Sequence, residues 1–448
     1  MSLPPPQAQA VHLRCRAAHF IDSPGRAAPR LQGACLDYLA DAILSFSGGK
    51  FLSLLPTAEA LRLGLDLQIV EDLRPSLVVP GFIDGHVHAP QLNIIGAYGH
   101  QLLDWLEHYT FPEEQRFAEA QYARTQTEQF IQALLANGVT SACVFTSSHR
   151  HSAMYLFECA LAINMRVIAG KVNMDCNAPP ALLDGENGIT DCIQLIDTYH
   201  HRERLGYALT PRFACTSTAA QMRALGALLE RDPSLWIQTH LSENLDEVRW
   251  IRKLFPAAKH YLDVYDRVGL VTERSVFAHG IHLGVDEHLR LAESGACIAF
   301  CPSSNLFLGS GLLNLQQLRE RGVNYLLASD VGAGTSLSPF RTMADAYKVA
   351  QLQGYSLSAQ EAWFRCTLGA ARALGLDHKI GSLEAGKEAD FLVLNAERHP
   401  ALQQRLQHSN TIDEELFVYM TLGDERLIAR SYVYGAAQYL GEATSPRT

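Results

Sequence analysis

No CxxC pair occurs anywhere in the chain, and no segment approaches the run of about eighteen apolar residues that a membrane-crossing helix needs. The ten cysteines are scattered, the nearest two being Cys297 and Cys301, which excludes a compact disulfide framework; most are expected as buried, reduced thiols. Positive charge is scarce relative to negative: 37 Lys and Arg against 47 Asp and Glu leave a formal net charge of −10. Such a surface repels phosphate backbones and anionic lipid, so neither nucleic acid nor a membrane is expected as a partner, and a small neutral substrate fits better. The opening MSLPPPQAQA lacks the basic and apolar stretches of a secretion signal, and a cytoplasmic address is the expectation. Glycine and proline are spread rather than massed in repeats, which excludes fibrous and low-complexity architectures.

What the chain does have is length and alternation. Its 448 residues exceed one ordinary core and suit an α/β barrel with an accessory domain. From about Val79 to Leu376, β-rich runs alternate with helical patterns. Strands are expected at Phe82–His88, Val139–Thr146, Val167–Asp175, Gly206–Phe213, Trp236–Leu241, Val276–His282, Cys297–Pro302 and Tyr325–Asp330, with helical stretches such as Pro112–Asn137 and Leu245–Leu254 between them. Eight such units argue for a closed (β/α)8 TIM-like barrel over residues 79–379. Residues 1–78 and 380–448 read instead as short strands and turns, among them GSLEAGKEADFLVLN and ERLIARSYVYG. They are expected to meet in one small β-sandwich domain, because the N-terminal set alone would bury too little apolar area.

In PGFIDGHVHAPQ an apolar run leads into His86 and His88. Residues two apart on a strand share a face, so both imidazoles can aim at one metal from the end of the first barrel strand. WIQTHLSEN then places His240 at a strand end with Glu243 three residues on, SVFAHGIHL places His279 at the next, and LLASDVGAG ends the eighth with Asp330. Singly, each has an ordinary alternative: a histidine bonded to backbone, an aspartate capping a helix, a glutamate on a solvated face. Together, four imidazoles and a carboxylate at a barrel mouth suit a borderline cation such as Zn²⁺ with an open water position. His149 and His151 in TSSHRHS read as a loop or helix start, and His200, His201 and His282 are assigned no ligand role.

The motifs PGFIDGHVHAPQ, LDWLEHYTFPEE, LTPRFA, QTHLSEN, HGIHL, CPSSNLFLGSG and ASDVGAGTS, in this order and spacing, resemble the amidohydrolase superfamily over essentially the whole chain, and within it the guanine deaminase family. The resemblance implies that His86, His88, His240, His279 and Asp330 surround one zinc ion per subunit, with His279 closer to substrate or hydroxide than to the ion. It also implies Glu243 as proton shuttle, and metal-activated hydroxide replacing the amino group at C2 of guanine to give xanthine and ammonia. A homodimer serving purine catabolism is a further implication. Binuclear relatives carry a carboxylated lysine in mid-barrel. Here the fourth strand ends in LTPRF without one, and Lys171 on the third reads as a structural pair or a snorkelling side chain, so a single metal is expected.

Three residues are candidates for the substrate. Gln91 can donate and accept along a heterocycle's edge, Arg212 can donate to a carbonyl, and Phe213 can stack on the base; the resemblance points to the same three. Each also has another reading: a helix cap, a structural ion pair, a core ring. Trp105 and Tyr109 in LLDWLEHYTFP are expected to cover the mouth and exclude water, although Leu102 and Trp105, at helical spacing, read equally as an ordinary packed helix. Two rival functions stay open: the same chemistry on a pterin, triazine or adenine-type base, and a non-catalytic barrel scaffold. Orientation of Gln91 and Arg212 toward the metal cavity favours guanine over the former; the complete ligand set argues against the latter.

Overall fold

The computed structural model describes residues 9–22, 31–99 and 101–441. Among them, those of Met1–Ile83, Leu135–Thr140 and Ala359–Thr448 form one compact unit, and those of Asp84–Leu134 and Ser141–Ser358 a second.

The first unit is built on a seven-stranded sheet in the order Ala436–Leu440, Ile428–Val433, Phe391–Leu394, Val70–Pro80, Val11–Asp22, Ala34–Ser47, Lys50–Pro56. Strands from the two ends of the chain meet at Val70–Pro80, where Val78 pairs with Ala17 on one side and Val393 on the other. The expected union of the termini is therefore real, and its reason is visible in the core. Leu13, Leu44, Phe46 and Val78 from the N-terminal strands pack with Phe391, Val393 and Tyr432 from the C-terminal ones. Phe391 stacks on Tyr432 with ring centroids 4.2 Å apart. Neither half has a complete apolar face to bury without the other.

The second unit carries the barrel strands, numbered here β1 (Phe82–His88), β2 (Val139–Phe145), β3 (Arg166–Gly170), β4 (Leu205–Pro211), β5 (Trp236–Leu241), β6 (Ser275–His279), β7 (Cys297–Phe300) and β8 (Asn324–Leu327). They run parallel in sequence order, and the short strand Val172–Asn173 continues the third to pair with β4. Strands covered on both faces read as short β-rich runs dominated by apolar residues, and their alternation with helical patterns made all eight legible as strands. Their C-terminal ends differ from expectation. β6, β7 and β8 end two to three residues earlier than expected, at His279, Phe300 and Leu327; His279, the last residue of β6, takes a positive φ of 72°, outside strand geometry, as does Asp330 beyond β8 at 50°.

The expected single helix over Pro112–Asn137 is two, Phe111–Arg116 and Ala120–Ala136. Three successive i→i+3 bonds, ending with Glu119 N to Arg116 O, redirect the chain between them while Phe117 is driven fully into the core. Other helices are closed by local capping residues. Thr218 accepts from Gln221 N to open Ala219–Arg231, Asn244 and Glu247 form a capping box on Leu245–Leu254, and Gly295 ends Val285–Ser294 at φ 76°.

Closure of the barrel falls to β1 and the segment after β8. Asp330 N donates to His86 O at 2.9 Å and His88 N to Val331 O at 2.9 Å. Beneath them the buried Asp84 carboxylate takes both the backbone N–H (3.0 Å) and the hydroxyl of Ser329. Gly85 is required at this seam, since a Cβ there would lie 1.8 Å from Leu326 Cδ1. Asp84→Ala strands two buried donors of Ser329, at about 1–3 kcal/mol each. Its denaturant midpoint is expected to fall by the equivalent of about 2–4 kcal/mol; an unchanged midpoint would show that closure does not depend on this staple.

Candidate active site

Every strand end expected to carry chemistry delivers its residue to one mouth. His86 and His88, two apart on β1, point the same way, and His240 enters from the end of β5. His88 Nε2 lies 3.2 Å from His86 Nε2 and 3.2 Å from His240 Nε2, and Asp330 Oδ1 stands 3.1 and 3.2 Å from His86 and His88. Three imidazole nitrogens and a carboxylate oxygen thus crowd one point, and they form a set able to hold a metal ion. The spacing fits such an ion: ligands about 2.0–2.1 Å from a tetrahedral zinc lie roughly 3.3 Å from each other. The donor chemistry fits too. His240 Nδ1 donates to the Arg212 carbonyl at 2.7 Å, which leaves the Nε2 lone pair facing the centre.

His279 stands beside this set. Asn305 Nδ2 lies 2.8 Å from its Nδ1, an arrangement that puts the ring proton on Nε2, directed between Glu243 Oε2 at 3.3 Å and Asp330 Oδ2 at 3.8 Å. Ser242, His279 and Asp330 all have left-handed backbone, with φ of 49°, 72° and 50°. Conformations this unfavourable for side-chain-bearing residues concentrate at sites where geometry outranks comfort.

Burial acts on these groups in opposite senses. It lowers the His88 imidazole to about 3 and His279 to about 4, and it drives His240 well below the ordinary range, so the rings stay neutral with lone pairs available. Glu243 is raised well above the usual carboxyl value, first by burial and then by Asp330 and Glu247 nearby, against an opposing hydrogen bond from Ser310. Asp330 is also buried, but contacts with His86 and His88 outweigh that and hold it well below the usual range. Two carboxyl groups of one site are thus pushed in opposite directions, Glu243 toward the protonated form and Asp330 toward the ionised one.

The mouth opens into a cavity lined by His88, Gln91, Trp105, Arg212, Phe213, His240, Glu243 and Asp330, with Leu102, Leu106 and Leu308 as apolar wall. Gln91 and Arg212 both face the metal set. Arg212 is also half of a buried ion pair, its Nη1 2.6 Å from Glu114 Oε2, so the two readings of that residue coexist. Phe213 has its ring 6.5 Å from His240. Trp105 lines the cavity with Nε1 bonded to Ala97 O at 3.1 Å, whereas Tyr109 does not reach it. Both lie in a segment that is α-helical over Leu102–Trp105 and π-helical over Leu106–Thr110. Pro112 accounts for the change: it has no N–H for the His108 carbonyl, and Phe111 N reaches back five residues to Leu106 O.

Other groups are committed elsewhere. His149 occupies the N-cap position of the helix Arg150–Ala162 with no side-chain bond to it, and His151 bonds Phe117 O at 2.6 Å. Lys171 is buried against Asp184, which also takes Asn173 and Gln221. His200, His201 and Asp232 are close enough to suggest a second metal set. However, Tyr207 N donates to His200 Nδ1, so Nε2 of the neutral ring carries its proton to Ser234 Oγ, and the cluster is a hydrogen-bond network. All ten cysteines are free. Sequence reasoning missed Glu114, Asn305 and Ser310. Each stands inside a quoted motif, but a carboxylate, an amide and a hydroxyl that touch only other side chains leave no spacing signal.

A parallel barrel with three histidines and an aspartate gathered at its strand ends defines a metal-dependent hydrolase, and the chain belongs to the amidohydrolase family, whose model matches residues 77–423. The chain is 49% identical over 371 residues to a guanine deaminase of Escherichia coli, covering 83% of this chain and 84% of that one. Its structure is similar to that of E. coli guanine deaminase, with a TM-score of 0.92 at 42% identity over 97% of this chain and 100% of the other. It is also similar to C. acetobutylicum guanine deaminase with bound guanine in the active site, with a TM-score of 0.85 at 29% identity over 96% and 100%.

His86→Ala removes one of the three converging imidazoles while leaving the fold. The purified variant is expected to retain less than about a tenth of the wild-type metal per chain by atomic absorption; full metal content would remove His86 from the ligand set.

Proposed function

We propose that this protein is a guanine aminohydrolase, converting guanine and water to xanthine and ammonia with one zinc ion held by His86, His88, His240 and Asp330. The observation that carries the reading is that Gln91, Arg212 and Glu243 line the same cavity as three of those ligands, so one flat base can meet all of them. The guanine deaminases similar to it along most of its length, one of them with guanine bound, support the choice of substrate.

A divalent cation in the site supplies hydroxide at neutral pH by bringing the pKa of water down to about 7. The residues of the chain do the rest. Arg212 donates to the carbonyl of the base, Gln91 bonds its edge, and Phe213 covers a face, so C2 is held at the mouth. Asp330, kept ionised, takes the proton of the attacking water, and His279 offers its Nε2 proton to the charge that develops. Glu243, kept protonated, delivers its proton to the ring nitrogen beside C2, receives the one that Asp330 took and passes it to the departing amine, and is restored by the proton of the C2 hydroxyl as the carbonyl forms. Leu102, Trp105 and Leu106 keep bulk water from the bond being broken. In this reading the enzyme works in the cytoplasm as a homodimer, in purine catabolism, as its resemblance to the family implies.

Ammonia release by the zinc-loaded protein, offered guanine, adenine, cytosine, a pterin and a triazine in parallel, is expected from guanine with xanthine as product. Silence on guanine with turnover of another base would keep the mechanism and discard the substrate. Glu243→Gln is expected to hold its zinc and lose about 10²–10⁴ in kcat. Arg212→Ala should lower kcat/KM for guanine about ten- to a hundredfold, and an unchanged value would take it out of the substrate site.

A further inference from the structure

Glu114 lies on the short helix Phe111–Arg116, directly after the π-turn, and is fully buried. Its Oε1 accepts from Gln91 Nε2 at 3.0 Å and its Oε2 from Arg212 Nη1 at 2.6 Å. A carboxylate paired with a guanidinium only accepts, so the end of the Gln91 amide that faces it must be the NH₂. From the other side Gly332 N donates to Gln91 Oε1 at 3.2 Å, and a backbone N–H can face only an oxygen. Both partners demand the same orientation, and the amide cannot turn over. Its neighbour Glu113 is committed outward to Arg116 and Tyr122 and cannot substitute.

An unconstrained glutamine serves a donor or an acceptor equally well. This one has its oxygen engaged and keeps its second Nε2 hydrogen, while Arg212 offers only hydrogens, one of which goes to Glu114. The edge presented to the base is therefore rich in donors. Building on the guanine reading, we infer that Glu114 is a specificity-positioning residue: by clamping Gln91 and Arg212 it makes the cavity accept a ring carbonyl and refuse an amino group at the same place. Guanine carries that carbonyl. In 2,6-diaminopurine the reacting 2-amino group is unchanged, but a 6-amino group would set hydrogens against hydrogens. Glu114 touches neither the base nor the metal set and acts through the two side chains it holds.

The test is Glu114→Gln in the full, zinc-loaded chain, with kcat and KM for guanine and for 2,6-diaminopurine, or a competitive Ki where turnover is too slow. A glutamine there still accepts from Arg212 but turns its own NH₂ toward Gln91, so its side chain and the Gly332 N–H now demand opposite orientations of that amide and the single fixed orientation is lost. The guanine to 2,6-diaminopurine ratio of kcat/KM is expected to fall about tenfold or more, mainly through the KM for guanine, with zinc content unchanged. A merely structural role lowers both substrates by the same factor, and an unchanged ratio overturns the inference. If circular dichroism shows that Glu114→Gln does not fold, Gln91→Ala asks the same question of the group Glu114 orients. Its ratio must fall likewise, and an unchanged ratio again overturns the inference. Wild-type protein that releases no ammonia from guanine would defeat the guanine reading itself, and this inference with it.

Discussion

The register of the first barrel strand against the segment that follows the last one is the constraint on which the site rests. Two hydrogen bonds, Asp330 N to His86 O and His88 N to Val331 O, set it. The same four residues supply two imidazoles and the carboxylate of the set able to hold a metal ion, and the peptide that carries that carboxylate onward. A strand has a side-chain period of two, so a slip of one residue would turn His86 and His88 out of the mouth together. Asp84, two residues before His86 and on the same face of β1, anchors Ser329 and makes that slip costly.

From this seam outward, residues tend to serve two groups at once. The Arg212 carbonyl holds His240 by its Nδ1, while the Arg212 guanidinium points into the cavity and is held by Glu114. Glu247 takes the backbone N–H of Glu243 and caps the following helix, so the proton-carrying side chain and the helix that presents it share one support. Such sharing gives precision without additional buried polar groups, each of which would need its own partners.

The water-poor mouth explains why two carboxyl groups a few ångströms from the same imidazole behave differently. Burial disfavours charge on both. For Asp330 the neighbouring histidines reverse the outcome; for Glu243 the nearest charges are Asp330 and Glu247, which reinforce it. An acid and a base can then coexist at one pH, as hydrolysis of an amino-heterocycle requires.

The barrel and the convergence of His86, His88, His240 and Asp330 were legible because their signals are local. Parallel strands buried on both faces are short β-rich, mostly apolar runs, the His–x–His pair declares a shared face through the strand period, and strand ends place His240, His279 and Asp330 by counting. The sequence by itself therefore determined the architecture and which side chains could converge on a metal. Only the tertiary structure decided how they are shared out: that His279 stands beside the four-residue set with Asn305 behind it, that the LLDWLEHYTFP segment turns π-helical at the cavity, and that Glu114 ties Gln91 to Arg212. The reason is physical. Glu114 and Arg212 are 98 residues apart, and a pairing across that distance depends on the direction of two side chains in a closed barrel, which no local periodicity encodes.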